Sequence, residues 1–193
     1  MRKAILALAV AMLIPASSRA ATITFVGPLG TPVATTAEGV FTYGTFSGGL
    51  FRDSQGNGDA FDMEGCSACN GGVLSIVRND VAGGLFTFDA ADIAYQFDGI
   101  YPISFSGYVS GGLVATDVFN TAAGSVYSTF ASSALAGLQI DELRVQLDAA
   151  ANFATVVDNV VVTPTTAPEP SILLLLGSGL FGVASRRRFL SRQ

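Results

Sequence analysis

The residues best suited to chemistry crowd into one polar segment, Arg52 to Gly72, which holds oxygen ligands, glycines and both cysteines of the chain. Set against the calcium-loop pattern D-x-D/N-x-D/N-G-x5-E, Asp53, Asn57, Gly58 and Glu64 match, and Gln55 stands in the second ligand place. Calcium takes about six to eight oxygens at ~2.3–2.6 Å, and Gly58 would permit the sharp turn that wraps them round one ion. A calcium site here would use Asp53, Gln55, Asn57, Asp59 and Glu64. The other reading is a solvated, glycine-rich loop whose acids face water. With glutamine in a ligand place and no helical pattern on either side, the sequence favours that second reading. No other cofactor is expected.

Cys66-Ser67-Ala68-Cys69 has three readings. Zinc needs four ligands, and two thiols without any histidine do not supply them. A thioredoxin-like redox pair would open a helix, whereas Asn70-Gly71-Gly72 announces a turn. An even pair of cysteines in an exported chain is most simply a disulfide between Cys66 and Cys69. So small a ring stabilises only modestly, at the low end of the ~2–4 kcal/mol range, so its role would be to stiffen the loop.

Catalysis finds little footing. The absence of histidine excludes Ser-His-Asp and Cys-His arrangements. A glycoside-cleaving carboxylate pair would have to come from Glu38, Glu64, Glu142 and the aspartates, brought within about 5–10 Å of each other. Tryptophan is absent, which leaves Tyr43, Tyr95, Tyr101 and Tyr108 as aromatics that could stack on a sugar; a core or rim role suits each of them better.

The elements that must carry these residues are strands. Between Ala21 and Val162, short runs rich in Val, Ile, Thr, Phe and Tyr alternate with Gly pairs, Asn and Asp, the pattern of an all-β sandwich. Strands are predicted at 22–26, 39–46, 73–77, 85–88, 90–95, 103–109, 113–119, 125–130, 139–147 and 154–162, with 52–72 as loop and Gly111-Gly112 as a hairpin turn. Eight or more strands in two antiparallel sheets account for this stretch as one domain.

Both ends of the chain read as addresses. Met1-Arg2-Lys3 is a basic start, Ala4 to Ile14 is apolar, and Ser18-Arg19-Ala20 places small residues at the −3 and −1 positions of a cleavage site. Residues 1–20 are therefore expected to be a signal peptide, cut by signal peptidase between Ala20 and Ala21. At the other end a linker, 163–167, leads to Pro168-Glu169-Pro170, then the uncharged run Ser171 to Ser185, then Arg186, Arg187 and Arg188 within a basic tail ending at residue 193. As a helix the run spans roughly 22 Å against a ~30 Å hydrocarbon core. The arginines decide for a membrane helix, because their long side chains snorkel to the headgroups and hold the cytoplasmic side.

From Ala21 to Ser185 the chain carries three arginines against fifteen carboxylates, three minus fifteen, a net charge of −12. Such an acidic body argues against binding nucleic acid and suits a soluble domain outside the cytoplasm.

The order Pro-Glu-Pro, apolar segment, arginine cluster over 168–193 resembles the PEP-CTERM sorting signal of Gram-negative bacteria. That resemblance implies an exosortase, a membrane-embedded cysteine transpeptidase, as processing partner, an inner-membrane-anchored precursor, and a cell-surface or matrix destination. The strand pattern is similar to the jelly-roll-like bodies that carry such tails, through Leu85 to Ile93, the Gly111-Gly112 hairpin, Ile140 to Val145 and Val157 to Val162. The tail resemblance implies an envelope or matrix protein, structural or adhesive, with exopolysaccharide as a candidate partner, and the poor footing for catalysis makes it non-catalytic. The alternatives are a carbohydrate-binding module, which requires exposed tyrosines on a sheet face, and a secreted glycan-active enzyme, which requires two facing carboxylates in a cleft.

Overall fold

The computed structural model describes residues 19–25, 35–47, 51–53, 60–63, 72–95, 102–120, 127–147 and 155–165, and there the β-forming runs all become strands with no α-helix between them. These residues fall in one compact unit, Arg19–Thr165. In chain order the strands are β1 (Ala21–Ile23), β2 (Thr36–Glu38), β3 (Phe41–Ser47), β4 (Phe51–Asp53), β5 (Ala60–Met63), β6 (Val73–Arg78), β7 (Phe86–Tyr95), β8 (Pro102–Val109), β9 (Gly112–Asn120), β10 (Ser128–Ala131), β11 (Glu142–Leu147) and β12 (Thr155–Pro164). They form two six-stranded sheets, one in the order β10-β7-β12-β5-β4 with β1 also on β12, the other β2-β3-β6-β11-β8-β9. Every pairing is antiparallel. The chain is an all-β antiparallel sandwich, as its sequence pattern leads one to expect.

Alternation explains the core. Side chains on successive strand residues point to opposite faces, so Phe86 and Phe88 turn inward together on β7, as do Ile103, Phe105 and Gly107 on β8. Phe41 of one sheet meets Phe86 of the other edge-on at 5.2 Å, and Phe88 stacks on Phe105 at 4.9 Å. Each buried phenylalanine contributes on the order of 1.5–3 kcal/mol, so these cross-sheet pairs hold the layers face to face. Backbone hydrogen bonds of 2.9 Å in both directions between Phe86 and Ile140 tie the layers together at one end of β7. The Glu38 carboxylate accepts from the Thr24 and Phe25 amides and the Thr24 hydroxyl, fixing the chain where Phe25 adopts a φ of 55°.

Gly107 sits where β8 is crossed from inside. A Cβ there would lie 2.6 Å from Leu135 Cδ2 and 2.7 Å from Ile140 Cγ2, both in fully buried side chains. Gly107→Ala is therefore expected to destabilise the domain by about 1–3 kcal/mol through overpacking. Urea unfolding checks this, and an unchanged midpoint would contradict the packing described.

Several local expectations are corrected. The segment 52–72, expected to be loop throughout, contains β5, which pairs with β4 and with Thr155 to Val157 of β12. A central strand needs ladder partners on both edges, and the alternating Ala60-Phe61-Asp62-Met63 supplies one despite its polar surroundings. The strands expected at 85–88 and 90–95 are one ten-residue strand, β7. β12 runs two residues past Val162, so Thr163 and Pro164 pair with Thr87 and Phe86. The turn between β8 and β9 is Ser110-Gly111, with φ of 50° and 77°, as a two-residue hairpin requires; Gly112 already pairs with Val109. Val109 falls in step with the inward Ile103, Phe105 and Gly107 yet is 38% exposed, because the alternation ends at this turn.

Candidate functional site

The outer face of the second sheet gathers the polar and aromatic groups that the core does not use. Register sets Glu142 beside Val77 and Tyr108 in one cross-strand row, and Arg144 beside Ser75 and Ser106 in the next. Thr116 extends the second row on β9, sharing a 2.9 Å hydrogen bond with the Ser106 hydroxyl. Because Glu142 and Arg144 are two residues apart on one strand, they share a face. Arg144 grips the Glu142 carboxylate with two bonds, Nε at 2.9 Å and a terminal nitrogen at 2.8 Å, while Ser75 donates to it at 2.7 Å.

The same guanidinium lies between two rings, its central carbon 3.8 Å from the centroid of Phe46 and 4.2 Å from that of Tyr108. Phe46 is 54% exposed and sits where the β3–β6 register shifts, between Thr45 and Ser47. The stacked cation and the carboxylate fix each other's orientation. Burial pushes the Glu142 carboxyl up, but the bonds from Arg144 and Ser75 outweigh it and hold the group below the usual glutamate value. Glu142 thus stays ionised near neutrality and is a hydrogen-bond acceptor, not a proton donor. The Arg144 guanidinium is held above its ordinary value, first by its bonds to Glu142. What the face offers is a guanidinium and a carboxylate that fix each other, hydroxyls and two aromatic rings.

Among the described residues, other carboxylates hold structure together at separate places. Asp92 accepts from Thr129 and from the Asn159 side chain, which also donates to Asp158 at 3.2 Å. Asp158 and Asp92 face each other across β12 and β7, at the bulge where Asn159 takes a φ of 46°. That bulge is the physical reason why Asp158-Asn159 breaks the alternation of an otherwise regular strand. Asp117 turns inward from β9 and is 2% exposed. Among the described residues no three or more carboxylates or thiols stand close enough to hold a metal.

Of the residues singled out from sequence, Tyr43 is buried in the core against Phe25, 5.0 Å between ring centroids, while Tyr108 lies half-buried on the outer face. Tyr101 falls outside the described residues, and Tyr95 ends β7. Asp53 ends β4, and Gln55, Asn57, Asp59, Glu64, Cys66 and Cys69 lie outside the described residues. Ala20 is exposed, and Ala21 is the first ladder residue, paired with Val162. Sequence reasoning missed Arg144 and Phe46. Arg144 was findable as one of three basic residues in the body, two positions from Glu142 on a predicted strand, whereas Phe46 owes its exposure to a bulge.

The last strand of the sandwich is held firmly at its end. Thr165 donates its amide to Leu85 O at 2.8 Å, and Arg78, itself paired with Asp80, donates to Thr165 O at 2.8 Å. The next residue begins a match of a different kind. Residues 166–188 carry the PEP-CTERM protein-sorting motif. This motif contains Pro168, Glu169, Pro170 and Arg186 to Arg188, and implies an exported protein with a membrane-anchored sorting signal, recognised by an exosortase. Its residues, the run 171–185 included, lie outside those described; among the described residues no helix is long and apolar enough to cross a membrane.

No curated protein matches the chain. Among solved structures it is similar to a DUF4465 family protein from Bacteroides caccae, with 9% identity, 76% of this chain and 100% of that one covered, and a TM-score of 0.44. It is also similar to a CBM29-2 carbohydrate-binding module variant, with 15% identity, 76% and 91% covered, and a TM-score of 0.45. A family 11 carbohydrate-binding module from Clostridium thermocellum stands at 12% identity, 77% and 96% covered, and 0.37. Scores this low bear on neither ligand nor activity.

Proposed function

We propose that this chain is an exosortase substrate of the cell envelope or extracellular matrix, a non-catalytic β-sandwich with a structural or adhesive role in association with exopolysaccharide. Signal peptidase removes residues 1–20, the apolar run 171–185 holds the precursor in the inner membrane, and the exosortase releases the acidic body from it. The match to the sorting motif at 166–188 carries this reading. The missing histidine and the engagement of the Glu142 carboxylate by Arg144 and Ser75 support a role without catalysis. Fractionation of the natural host with and without its exosortase tests it. The full-length precursor should accumulate in the inner membrane when the exosortase is missing, and identical processing in both strains would refute the reading.

A second reading rests on the ion pair between two rings: the outer face around Arg144 binds a polysaccharide strand through its hydroxyls. Arg144→Ala is then expected to weaken binding about tenfold or more, with some loss of stability as well, because the Glu142 side chain is only 16% exposed and loses two of its three bonds; thermal melting confirms that the variant stays folded. Binding measured on a glycan array, with and without calcium, decides. Failure of wild-type protein to bind any glycan under either condition removes this reading and leaves the sorting reading untouched.

A further inference from the structure

We propose that two copies of this chain associate edge to edge through β9, antiparallel across a two-fold axis. β9 ends its sheet, and among the described residues no strand neighbours its far side. The other end strands are short: β2 and β4 have three residues, β10 has four, and β1 beside β12 has three, whereas β9 has nine. Sheets protect such edges with shortness, lysine, proline, a bulge or an inward-pointing charge; β9 contains neither lysine nor proline, and its bulge, at Val114, lies near one end of the strand. Its single charge, Asp117, turns inward and is occupied by the 132–135 loop. The large hydrophobics that β9 presents outward are Leu113 and Val118, each 60% exposed, and Val114, 44% exposed, with Thr116 between them and Asn120 at the end of the strand. On an acidic body, it is the long edge at which two copies meet without opposing carboxylates.

The pattern also selects the partner. Exposed apolar residues lie on both sides of Thr116, so antiparallel pairing centred there sets Val118 of one copy against Val114 of the other, and does so twice. Val114 is the extra residue of the bulge opposite Gly107 and Tyr108, which leaves it exposed along with Leu113. This self-complementarity is what a two-fold interface requires, because the same patch must serve both sides. The pairing joins the six-stranded sheets of two sandwiches into one continuous outer sheet, extending past a single copy the face that holds Arg144.

Sedimentation equilibrium of the full chain in detergent micelles tests the proposal. Wild type should dimerise, and Val118→Glu should raise the dissociation constant about tenfold or more, since a carboxylate would meet Val114 across the edge. The double variant Val114→Lys with Val118→Glu should regain the dimer, because each lysine then faces a glutamate of the other copy. Within one copy the two positions are four residues apart along an extended strand, ~13 Å, so they cannot pair with each other. Thermal melting of each variant confirms that the fold is kept. A monomeric wild type, a dimer indifferent to Val118→Glu, or a double variant as weak as the single one would each overturn the two-fold β9 pairing.

Discussion

Asp117→Ala is expected to lower the unfolding free energy by about 2–4 kcal/mol. The carboxylate accepts from the amides of Ser133, Ala134 and Leu135 and from the hydroxyls of Ser132 and Ser133, at distances between 2.7 and 3.2 Å. It stands on β9 of one sheet while the loop it holds leaves β10 of the other, and that loop delivers Leu135 and Ile140 to the core. Removing the acceptor strips partners from several donors at once and loosens a link between layers.

The effect carries a pH signature. Burial pushes the Asp117 carboxyl up, but the bonds from Ser133, Ala134, Leu135 and Ser132 outweigh it and set the folded value below the ordinary 3.8. A carboxyl depressed on folding stabilises fully above its unfolded value and loses that contribution as pH falls from there through the folded value. Wild type should therefore lose stability below about pH 4 more steeply than Asp117→Asn does. Urea midpoints from neutral pH down to about pH 3 test this, and equal acid slopes for the two proteins would contradict the role given to Asp117.

The other large effect concerns sorting. Glu169→Ala, and separately the replacement of Arg186, Arg187 and Arg188 by alanine, are each expected to cut maturation in the host about tenfold or more. On the sorting reading the arginines act through the membrane: a helix over 171–185 would span roughly 22 Å, and so short a segment would depend on charged flanks to hold its depth and orientation. Glu169 acts through recognition, as the one charge between two prolines at the start of the signal. Pulse-chase labelling reads out the precursor and the mature form, and normal maturation of both variants would contradict the sorting account.

Legibility in the sequence depends on where the information is local. Phe86 and Phe88, or Ile103 and Phe105, announce their shared face because strand geometry alternates whatever the partner strand. The pairing of β5 with β12 could not be read from Ala60 to Met63, because it answers the needs of a strand far along the chain, at Thr155 to Val157. Ser110-Gly111 displaced the expected Gly111-Gly112 turn by one residue because Gly112 was needed in the ladder. The spacing of Glu142 and Arg144 could have announced a pair on one strand face, though it was missed, but the seat of Arg144 between Phe46 and Tyr108 depends on a bulge in β3 and on sheet order. Asp117, one acid among fifteen, bears no mark of its five hydrogen-bonding groups, which come from a loop that passes it only in the folded chain. The sorting signal was the most legible part, since lipid and an enzyme must read it as a linear string.

Intact-mass determination of the mature protein recovered from the host envelope tests the central claim most directly. The account predicts a polypeptide that begins at Ala21 and has lost Arg186 to Arg188 with the end of the chain. Recovery of a chain running unbroken from Met1 to Gln193 as the stable product would contradict it.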